Sequence, residues 1–314
     1  MALTEEAKII IQDFASRPDF RQSGGLMTDL DGTTVQHHDG NYLIPPAVQA
    51  GLSDLFRVNC PVILNTIRFP LSIIKTFAAV LSPIAQKPIP VISLNGSQWG
   101  YILYDNKGEY SFTEAGASSL KPAEIKSFIT NLRLLIQEKV PHVAAFYYPR
   151  DWTKGEIIWS AEEDQVAEMT ETYKSASRVY SSSLAILEKD LTAEDVSMIF
   201  LLVKKDLIAG THLQHNLKDF YTTDGANKLT GAHAFVNQQG RNLNNFFGAG
   251  DTPMDVFLKE TGFVIKVGDL PLGFDCPSTI LPVENVSEIG KVFSQIAEGY
   301  KINAPSLQLQ NGTR

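Results

Sequence analysis

Apolar residues in the first hundred positions occur in two patterns that alternate along the chain. Continuous runs at residues 61–66 and 90–94 have the length of buried strands, and a shorter apolar lead stands at residues 26–27. From residue 46 to 56, apolar residues recur every three or four positions, which is the spacing of an amphipathic helix. Strands that alternate with helices predict an α/β fold with a parallel sheet and helical crossovers.

The alternation changes after about residue 100. The later pattern predicts, in order, a hairpin over 98–108, a helix over 122–138, a strand over 142–148, a helix over 162–174 and a strand over 197–203. A hairpin followed by alternating helices and strands is typical of a second, smaller α/β unit. At the two ends of the chain, the spacing predicts an added helix over 4–16 and a loose polar tail over 303–314.

Two aspartates follow the apolar lead at residues 26–27. Asp29 and Asp31 are separated by one residue and are followed directly by Gly32 and two threonines. A spacing of two places both carboxylates on the same side of an extended chain, and the glycine marks a turn off the end of a strand. Two like charges at the tip of a buried strand favour a site for a hard divalent cation and a phosphate group.

Further polar residues follow later apolar runs in the same way. The run at 61–66 ends in Thr66 and is followed by Arg68, and the run at 90–94 is followed by Asn95. Lys228 stands alone ahead of an apolar helix start, and a last apolar lead ends in Asp251 and Asp255. Because binding residues of parallel sheets gather at the carboxyl ends of strands, we expect these groups to surround one site.

Composition narrows the class of partner. The chain has 314 residues, a net charge of −8 and a pI of about 5.3, with no basic stripe, which excludes a nucleic-acid footprint. No apolar stretch is long enough for a membrane span, and the acidic start of the chain is unlike a secretory signal. The two cysteines, Cys60 and Cys276, are expected to be buried free thiols. We therefore expect a cytoplasmic protein.

The two aspartate pairs, with the threonine and the lysine between them, resemble in this order the four signatures of the haloacid dehalogenase (HAD) superfamily of phosphatases. The segment from Ser93 to Gly96 also resembles one that precedes the cap domain of the superfamily's sugar-phosphate phosphatases, which include sucrose-, trehalose- and mannosyl-phosphoglycerate phosphatases and cof-type proteins. The resemblance implies a Rossmann-like catalytic domain, discontinuous over residues 1–104 and 221–302. An α/β cap domain would occupy residues 105–220.

The resemblance also implies a reaction. Asp29 would attack the phosphorus atom and form an aspartyl-phosphate, and Asp31 would act as general acid and then as general base. Thr66 and Lys228 would hold the phosphoryl oxygens. The product would be inorganic phosphate and the alcohol of a small phosphorylated metabolite, with a sugar phosphate as the expected substrate.

A magnesium ion is the cofactor that the resemblance implies. Asp29, the backbone carbonyl of Asp31 and Asp251 would bind Mg²⁺, and Asp255 could approach the metal or orient its waters and Lys228. In the cap, several groups could recognise a sugar, because aromatic rings stack on pyranoses and polar groups bind hydroxyls. These cap groups are Tyr147, Tyr148, Arg150, Trp152 and Trp159, and Asn95 and Arg68 are further candidates next to the phosphate. The sequence leaves open whether Tyr147 and Trp159 instead form the cap's own core, and whether Arg68 instead makes a structural ion pair.

Two positions depart from the pattern of this branch. Ile67 is bulky where a small residue is usual, and Met254 stands where asparagine is common. Neither change removes a group that phosphoryl transfer needs. A phosphomutase with the same motifs and a non-catalytic sugar-phosphate-binding regulatory protein are the alternatives that the sequence leaves open.

Overall fold

The computed structural model describes residues 3–105, 107–204, 217–276 and 278–302. The predicted tail at 303–314 lies outside these residues. The chain divides into two compact units, of which the first comprises Met1–Ile63, Pro83–Gln86 and Gly240–Arg314 and the second comprises Leu64–Ser82 and Lys87–Gln239. This division by packing differs from the catalytic and cap boundaries predicted above, which stay predictions.

The described residues form fifteen strands and ten α-helices. The strands are β1 (Gly25–Thr28), β2 (Gln36–His38), β3 (Asn41–Leu43), β4 (Val62–Asn65), β5 (Ile89–Ser93), β6 (Gln98–Tyr104), β7 (Tyr110–Ala117), β8 (Ala144–Pro149), β9 (Ile157–Ser160), β10 (Arg178–Ser181), β11 (Val196–Leu202), β12 (Phe220–Tyr221), β13 (Phe246–Gly250), β14 (Phe263–Val267) and β15 (Thr279–Val283). The helices are α1 (Glu5–Ala15), α2 (Pro18–Ser23), α3 (Pro46–Arg57), α4 (Pro70–Ile73), α5 (Ala79–Ala85), α6 (Pro122–Gln137), α7 (Val166–Thr172), α8 (Leu184–Ala193), α9 (Lys228–Gln238) and α10 (Val286–Ile302). A π-helical turn, Ile74–Ala78, lies between α4 and α5, and short 3₁₀ turns occupy Leu94–Gly96, Trp152–Lys154, Glu163–Gln165, Leu243–Asn245 and Val256–Lys259.

The first unit is built on parallel strands in the order β15-β14-β13-β1. Every residue of β1 and β13 is buried, which explains why both read as continuous apolar leads rather than as alternating patterns. Helix α3 packs along α10. The predicted helix at the start of the chain is confirmed as α1, and it packs on this core because the Phe14 ring meets Phe20, Phe247 and Phe263 at centroid distances of 4.6–5.7 Å.

The second unit contains strands of two sheets. Strand β5 pairs in parallel with the end of β4 and antiparallel with β6, and β6 pairs antiparallel with β7. The predicted hairpin is confirmed, and the predicted boundary between residues 104 and 105 falls at its turn. The other sheet has the order β10-β9-β8-β11-β12 and mixes parallel with antiparallel pairs. Helices and strands in both units confirm the α/β class.

The five-stranded sheet has two apolar faces. Helices α6 and α8 cover one face through a core that includes Phe128, Leu132, Leu187 and Leu191. Tyr147 and Trp159 belong to this core and are 2% and 1% exposed. Both side chains therefore pack in the core between sheet and helices, which is one of the two roles that the sequence left open for them; they do not contact a sugar.

Most elements expected between residues 98 and 203 are confirmed within a few residues of the predicted bounds. Strands β9 and β10 and helix α8 were not predicted. Strands β9 and β10 have only four residues each, and the apolar residues of α8 are clustered at its start, where only Leu187 and, one turn later, Leu191 are buried. Cys60 is a buried free thiol, whereas Cys276 is free but only half-buried. Among the described helices, none combines the length and apolar character needed to cross a membrane.

Candidate active site

Three carboxylates of the first unit converge at the ends of two neighbouring strands. Asp29 follows β1 and Asp251 follows β13, and these strands run in parallel. The Asp29 N–H donates to the Ala249 carbonyl at 2.9 Å, so the pairing continues into the first signature. One carboxylate oxygen each from Asp29, Asp251 and Asp255 can be chosen so that all three lie within 4.8 Å of one another. The structure thus brings together the carboxylates of three of the four acids predicted at the metal.

A tight turn aims Asp29 into this cluster. The Leu30 carbonyl accepts the N–H groups of Thr33, Thr34 and Val35 at 2.7–3.2 Å, and the Thr34 hydroxyl donates to the Asp29 carbonyl at 2.9 Å. These bonds fold the chain back immediately after the strand. The two threonines of the motif therefore have a structural role that residue spacing alone did not predict.

Gly32 is required at this turn for two reasons. Its φ is +80°, a conformation that residues with a Cβ rarely adopt. A Cβ at this position would lie 2.2 Å from Asp251 Oδ2, which is far inside van der Waals contact. Any other residue would displace the Asp251 carboxylate from the cluster.

Asp255 fixes the loop that carries Asp251. It is fully buried, and its Oδ2 accepts the Asp251 N–H at 2.9 Å and the Thr252 N–H at 3.0 Å. The Thr33 hydroxyl donates to Asp251 Oδ1 at 2.9 Å from the opposite side. Asp251 is therefore held through both its backbone and its side chain, and one oxygen of Asp255 serves the loop.

The donor set fits a hard divalent cation. Asp29 is 5% exposed and Asp255 is 0% exposed, so these charges lie in a region with little water. Grouped buried carboxylates repel one another unless a cation lies between them, and oxygen ligands of this kind suit Mg²⁺. Asp31 is half-exposed and its carboxylate is outside the group of three. Its backbone forms a bridge with Val35 at the turn.

The second unit holds the predicted threonine in a closely bonded loop. Thr66 is fully buried, and its N–H donates to the Ile92 carbonyl at 2.9 Å. Its hydroxyl oxygen accepts the Arg68 N–H at 3.2 Å, and its carbonyl accepts the Asn95 N–H at 3.3 Å. Thr66 and Asn95 are thereby brought together, as expected for residues at the ends of the adjacent strands β4 and β5.

Lys228 is buried and is the first residue of α9, with 3% of its surface exposed. The Asn227 side chain caps this helix, and Asn65 Nδ2 donates to the Lys228 carbonyl at 2.9 Å. A Cβ on Gly96 would lie 2.0 Å from the Asn227 carbonyl, so the Asn95–Gly96 turn packs directly on the start of the helix. Lys228 is therefore positioned by the same loops as Thr66, and it is no solvated surface lysine.

Two further residues that were predicted to contact the substrate, Arg68 and Trp152, interact with other side chains of the protein. Arg68 donates from Nη1 to the Ser72 hydroxyl at 3.2 Å and lies 5.1 Å over the Phe77 ring. Trp152 is half-buried and meets the Phe112 ring edge-on at 6.4 Å.

Arg150 forms ion pairs with Glu114 at 2.6 Å and Asp195 at 3.3 Å. Partial burial acts to raise the pKa of Glu114, but hydrogen bonds from Arg150 and Gln98 outweigh it and leave this pKa below its ordinary value. The charge on Glu114 is therefore favoured, and Arg150 ties β7 to the five-stranded sheet.

Comparison with known proteins identifies the family of this chain. The family model described as haloacid dehalogenase-like hydrolase matches residues 26–269. The chain therefore belongs to the haloacid dehalogenase-like hydrolases, as its motifs predicted, and the expectation of a hydrolytic enzyme is confirmed. No curated protein matches the sequence.

Solved structures with the same fold include several members of this superfamily. A sugar phosphatase of HAD subclass IIB is 14% identical over 88% of this chain and all of its own, with a TM-score of 0.63. A HAD phosphatase from Bacteroides thetaiotaomicron is 12% identical over 90% of this chain and 97% of its own (TM-score 0.63). A HAD/COF-like hydrolase from Plasmodium vivax is 13% identical over 92% and 98% (TM-score 0.64). At these identities the comparison establishes the fold, which is the predicted cap-bearing, Rossmann-like one.

Proposed function

We propose that this protein is a magnesium-dependent phosphomonoester hydrolase that acts through an aspartyl-phosphate on Asp29. The observation that carries the proposal is the group of buried Asp29, half-buried Asp251 and buried Asp255 in a chain of the hydrolase family. A bound Mg²⁺ would neutralise phosphate oxygens and the surrounding carboxylates. Asp29, Asp251 and the Asp31 carbonyl would hold this ion.

The protein's own groups would carry out two successive displacements. The Asp29 carboxylate attacks phosphorus while the ester oxygen leaves with a proton from Asp31, which releases the alcohol. Asp31, now ionised, takes a proton from water as the water oxygen attacks the phosphorus of the acyl phosphate. The second step frees inorganic phosphate and restores both aspartates. The half-exposed setting of Asp31 suits a group that must exchange protons with an entering and a leaving molecule.

Thr66 and Lys228 are the proposed phosphate ligands. Their burial supports this role, because a buried ammonium and a buried hydroxyl are worth more to an anion than solvated ones. Arg68 and Asn95 adjoin Thr66 through backbone hydrogen bonds and are candidates for the rim of this site. Residues 105–220 would form the cap that closes over the phosphate and excludes water.

The test is release of phosphate from a small phosphomonoester with and without Mg²⁺. We expect turnover that requires the metal and is abolished in Asp29→Asn, which removes the nucleophile with almost no change in volume. Retention of a tenth of wild-type turnover in Asp29→Asn would contradict the mechanism. Movement of phosphate between positions without net release would identify the phosphomutase, and folded protein with no turnover on any phosphoester would favour the regulatory alternative.

Asp31→Asn tests the general acid separately. Poor leaving groups need a proton and aryl oxides do not, so its defect should be larger on alkyl phosphates than on aryl phosphates. Equal defects on both would argue against the role. A small phosphorylated metabolite is the proposed substrate class, and the sugar phosphate predicted from sequence is one member of it.

A further inference from the structure

Asn65 is a polar residue at the end of a strand whose other residues are apolar. All four residues of β4 are buried, and Asn65 is 0% exposed. Strands of parallel sheets that are buried on both faces are usually continuous apolar runs, so an amide at this position is unexpected. A buried amide also costs free energy unless it is hydrogen-bonded. We therefore expect its side chain to bind a specific partner.

The backbone of Lys228 is this partner. Asn65 Nδ2 donates to the Lys228 carbonyl at 2.9 Å, and both residues are buried. Because Lys228 is the first residue of α9, the same carbonyl also accepts the helical hydrogen bond from the N–H four residues later. The bond from Asn65 is thus an additional contact that the helix does not need for its own hydrogen bonding. It fixes the main chain from which the Lys228 side chain extends.

The first turn of α9 lies against β5 and the turn that follows it through two glycines. A Cβ on Gly231 would lie 2.5 Å from Gly96 Cα and 2.9 Å from Ile92 Cγ2. Asn65 pairs with Ile92 in the sheet, so the amide and the glycine contact meet at the same turn of the helix. Contact between glycines limits how closely the helix approaches, whereas a hydrogen bond also depends steeply on angle. The amide therefore fixes the register of the helix start on the sheet.

Thr66, the residue after Asn65, is held by the same strand. Its N–H donates to the Ile92 carbonyl at 2.9 Å, and its carbonyl accepts the Asn95 N–H at 3.3 Å. Asn65 is covalently joined to Thr66 and hydrogen-bonded to Lys228, and all these residues belong to the second unit. The two residues proposed to hold phosphate are therefore connected through one buried side chain.

We propose that Asn65 is a positioning residue, which sets where the Lys228 ammonium lies relative to the Thr66 hydroxyl and does not itself touch the phosphate. This inference rests on the proposed function, because it takes Thr66 and Lys228 as the phosphate ligands. Groups that are already in place bind an anion without the cost of rearrangement. Loss of the Asn65 amide should therefore weaken the binding of a tetrahedral anion, although both ligands are still present.

The experiment measures the Kd of inorganic phosphate for the full chain by titration calorimetry with Mg²⁺ present. Asn65→Ala should raise this Kd by about 5- to 10-fold, and Lys228→Met, which removes the charge, by about 10- to 100-fold. In the double variant the Kd should equal that of Lys228→Met within about twofold, because the amide then has no ammonium to position. Asn131→Ala is the matched control, since it removes an amide that donates to the Tyr221 hydroxyl at 3.2 Å elsewhere in the second unit, and its Kd should equal that of the wild type.

Two results would overturn the inference and leave the proposed function intact. One is a wild-type Kd in Asn65→Ala while Lys228→Met binds phosphate weakly, and the other is an equal loss from Asn65→Ala with and without Lys228→Met, which would show a general effect on the fold. The proposed phosphate site itself fails if the wild type binds no phosphate, or if Lys228→Met binds it like the wild type. If Asn65→Ala does not fold, Asn65→Leu takes its place in the cycle, since leucine has the branched shape of asparagine and lacks only its polar atoms.

Discussion

Asp255 can be tested for a structural role separately from a chemical one, because its side chain accepts hydrogen bonds that hold a loop and also carries a charge next to the proposed metal site. Its Oδ2 accepts two backbone N–H groups, from Asp251 and Thr252, and the side chain is fully buried. Truncation to alanine leaves both donors without this acceptor. A buried donor that loses its partner costs about 1–3 kcal/mol, so Asp255→Ala should lower the free energy of unfolding by about 2–6 kcal/mol.

Asp255→Asn should behave differently, because asparagine retains an oxygen of the same reach. The two hydrogen bonds lose only their charge assistance, a difference of about 1 kcal/mol each, so the expected loss is about 2 kcal/mol. Urea unfolding with a chelator present measures both variants without a contribution from divalent cations. Asp151→Ala is the control: Asp151 accepts the Thr153 N–H at 3.1 Å in an exposed turn, and its loss should cost about 1 kcal/mol.

The relative stability of the two Asp255 variants can refute the proposed structural role. Both substitutions also remove the repulsion between Asp255 and the nearby Asp29 and Asp251 carboxylates, so the comparison between the two variants decides: if Asp255→Ala is no less stable than Asp255→Asn, then the two hydrogen bonds do not hold the loop. Activity should follow the same order, since a displaced Asp251 weakens the proposed metal site. An Asn variant that is stable but inactive would instead show that the charge of Asp255 is needed at the metal.

Three further predictions concern the proposed metal site, a core tryptophan and a buried carboxyl group. Mg²⁺ should raise the Tm of the wild type, measured by calorimetry, but not that of Asp251→Asn, and an equal rise in both would exclude this site. Trp159→Ala should cost about 3–5 kcal/mol in urea unfolding, since it empties a core position, while leaving the substrate ranking unchanged. Burial raises the pKa of Glu156 above its ordinary 4.5, despite hydrogen bonds from Tyr148 and Ser175, so the wild type loses stability as the pH rises through the folded value. Glu156→Gln should therefore raise the Tm more at pH 8 than at pH 4, and the opposite trend would contradict this assignment.

Much of the fold could be predicted because hydrophobic periodicity reflects burial directly. Strands β4 and β5 are almost continuous apolar runs, and α6 repeats its apolar residues every three or four positions. Strand β10 was missed because it lies at the edge of its sheet, where serine and arginine are tolerated and no apolar run is needed. Its neighbours in space, rather than its own sequence, make it a strand.

The acids of the site could be predicted because each one follows an apolar lead, and parallel strands bring their carboxyl ends together. The supporting groups could not. The Thr33 bond to Asp251 spans 218 positions, and the Asn65 bond to Lys228 spans 163, so no local pattern contains them. Such bonds depend on which strands become neighbours, and this is decided by the whole fold.

The predictions for the segment expected to form the cap contain a different kind of error, which strand geometry could have prevented. Tyr147 and Tyr148 were both candidates for substrate contact, yet consecutive residues of a strand point to opposite faces, so one of them had to pack against the helices. The structure buries Tyr147 under α6 and α8, whereas Tyr148 lies on the opposite face of the sheet, in the cluster that contains Phe146 and Met198. Which face the helices cover depends on chain connections and was not encoded in β8 itself.

The two departures from the family pattern are different in kind. Met254 lies in the loop held by Asp255, and its N–H donates to the Thr252 hydroxyl at 3.4 Å, so its backbone supports the turn whatever the side chain is. Ile67 instead contributes its side chain, which packs against the cluster that contains Phe69 and Tyr148. A small residue there would leave part of this cluster without its apolar neighbour. Ile67 therefore contributes to packing within the second unit through its side chain, whereas position 254 contributes to its turn through a backbone group that any residue except proline supplies.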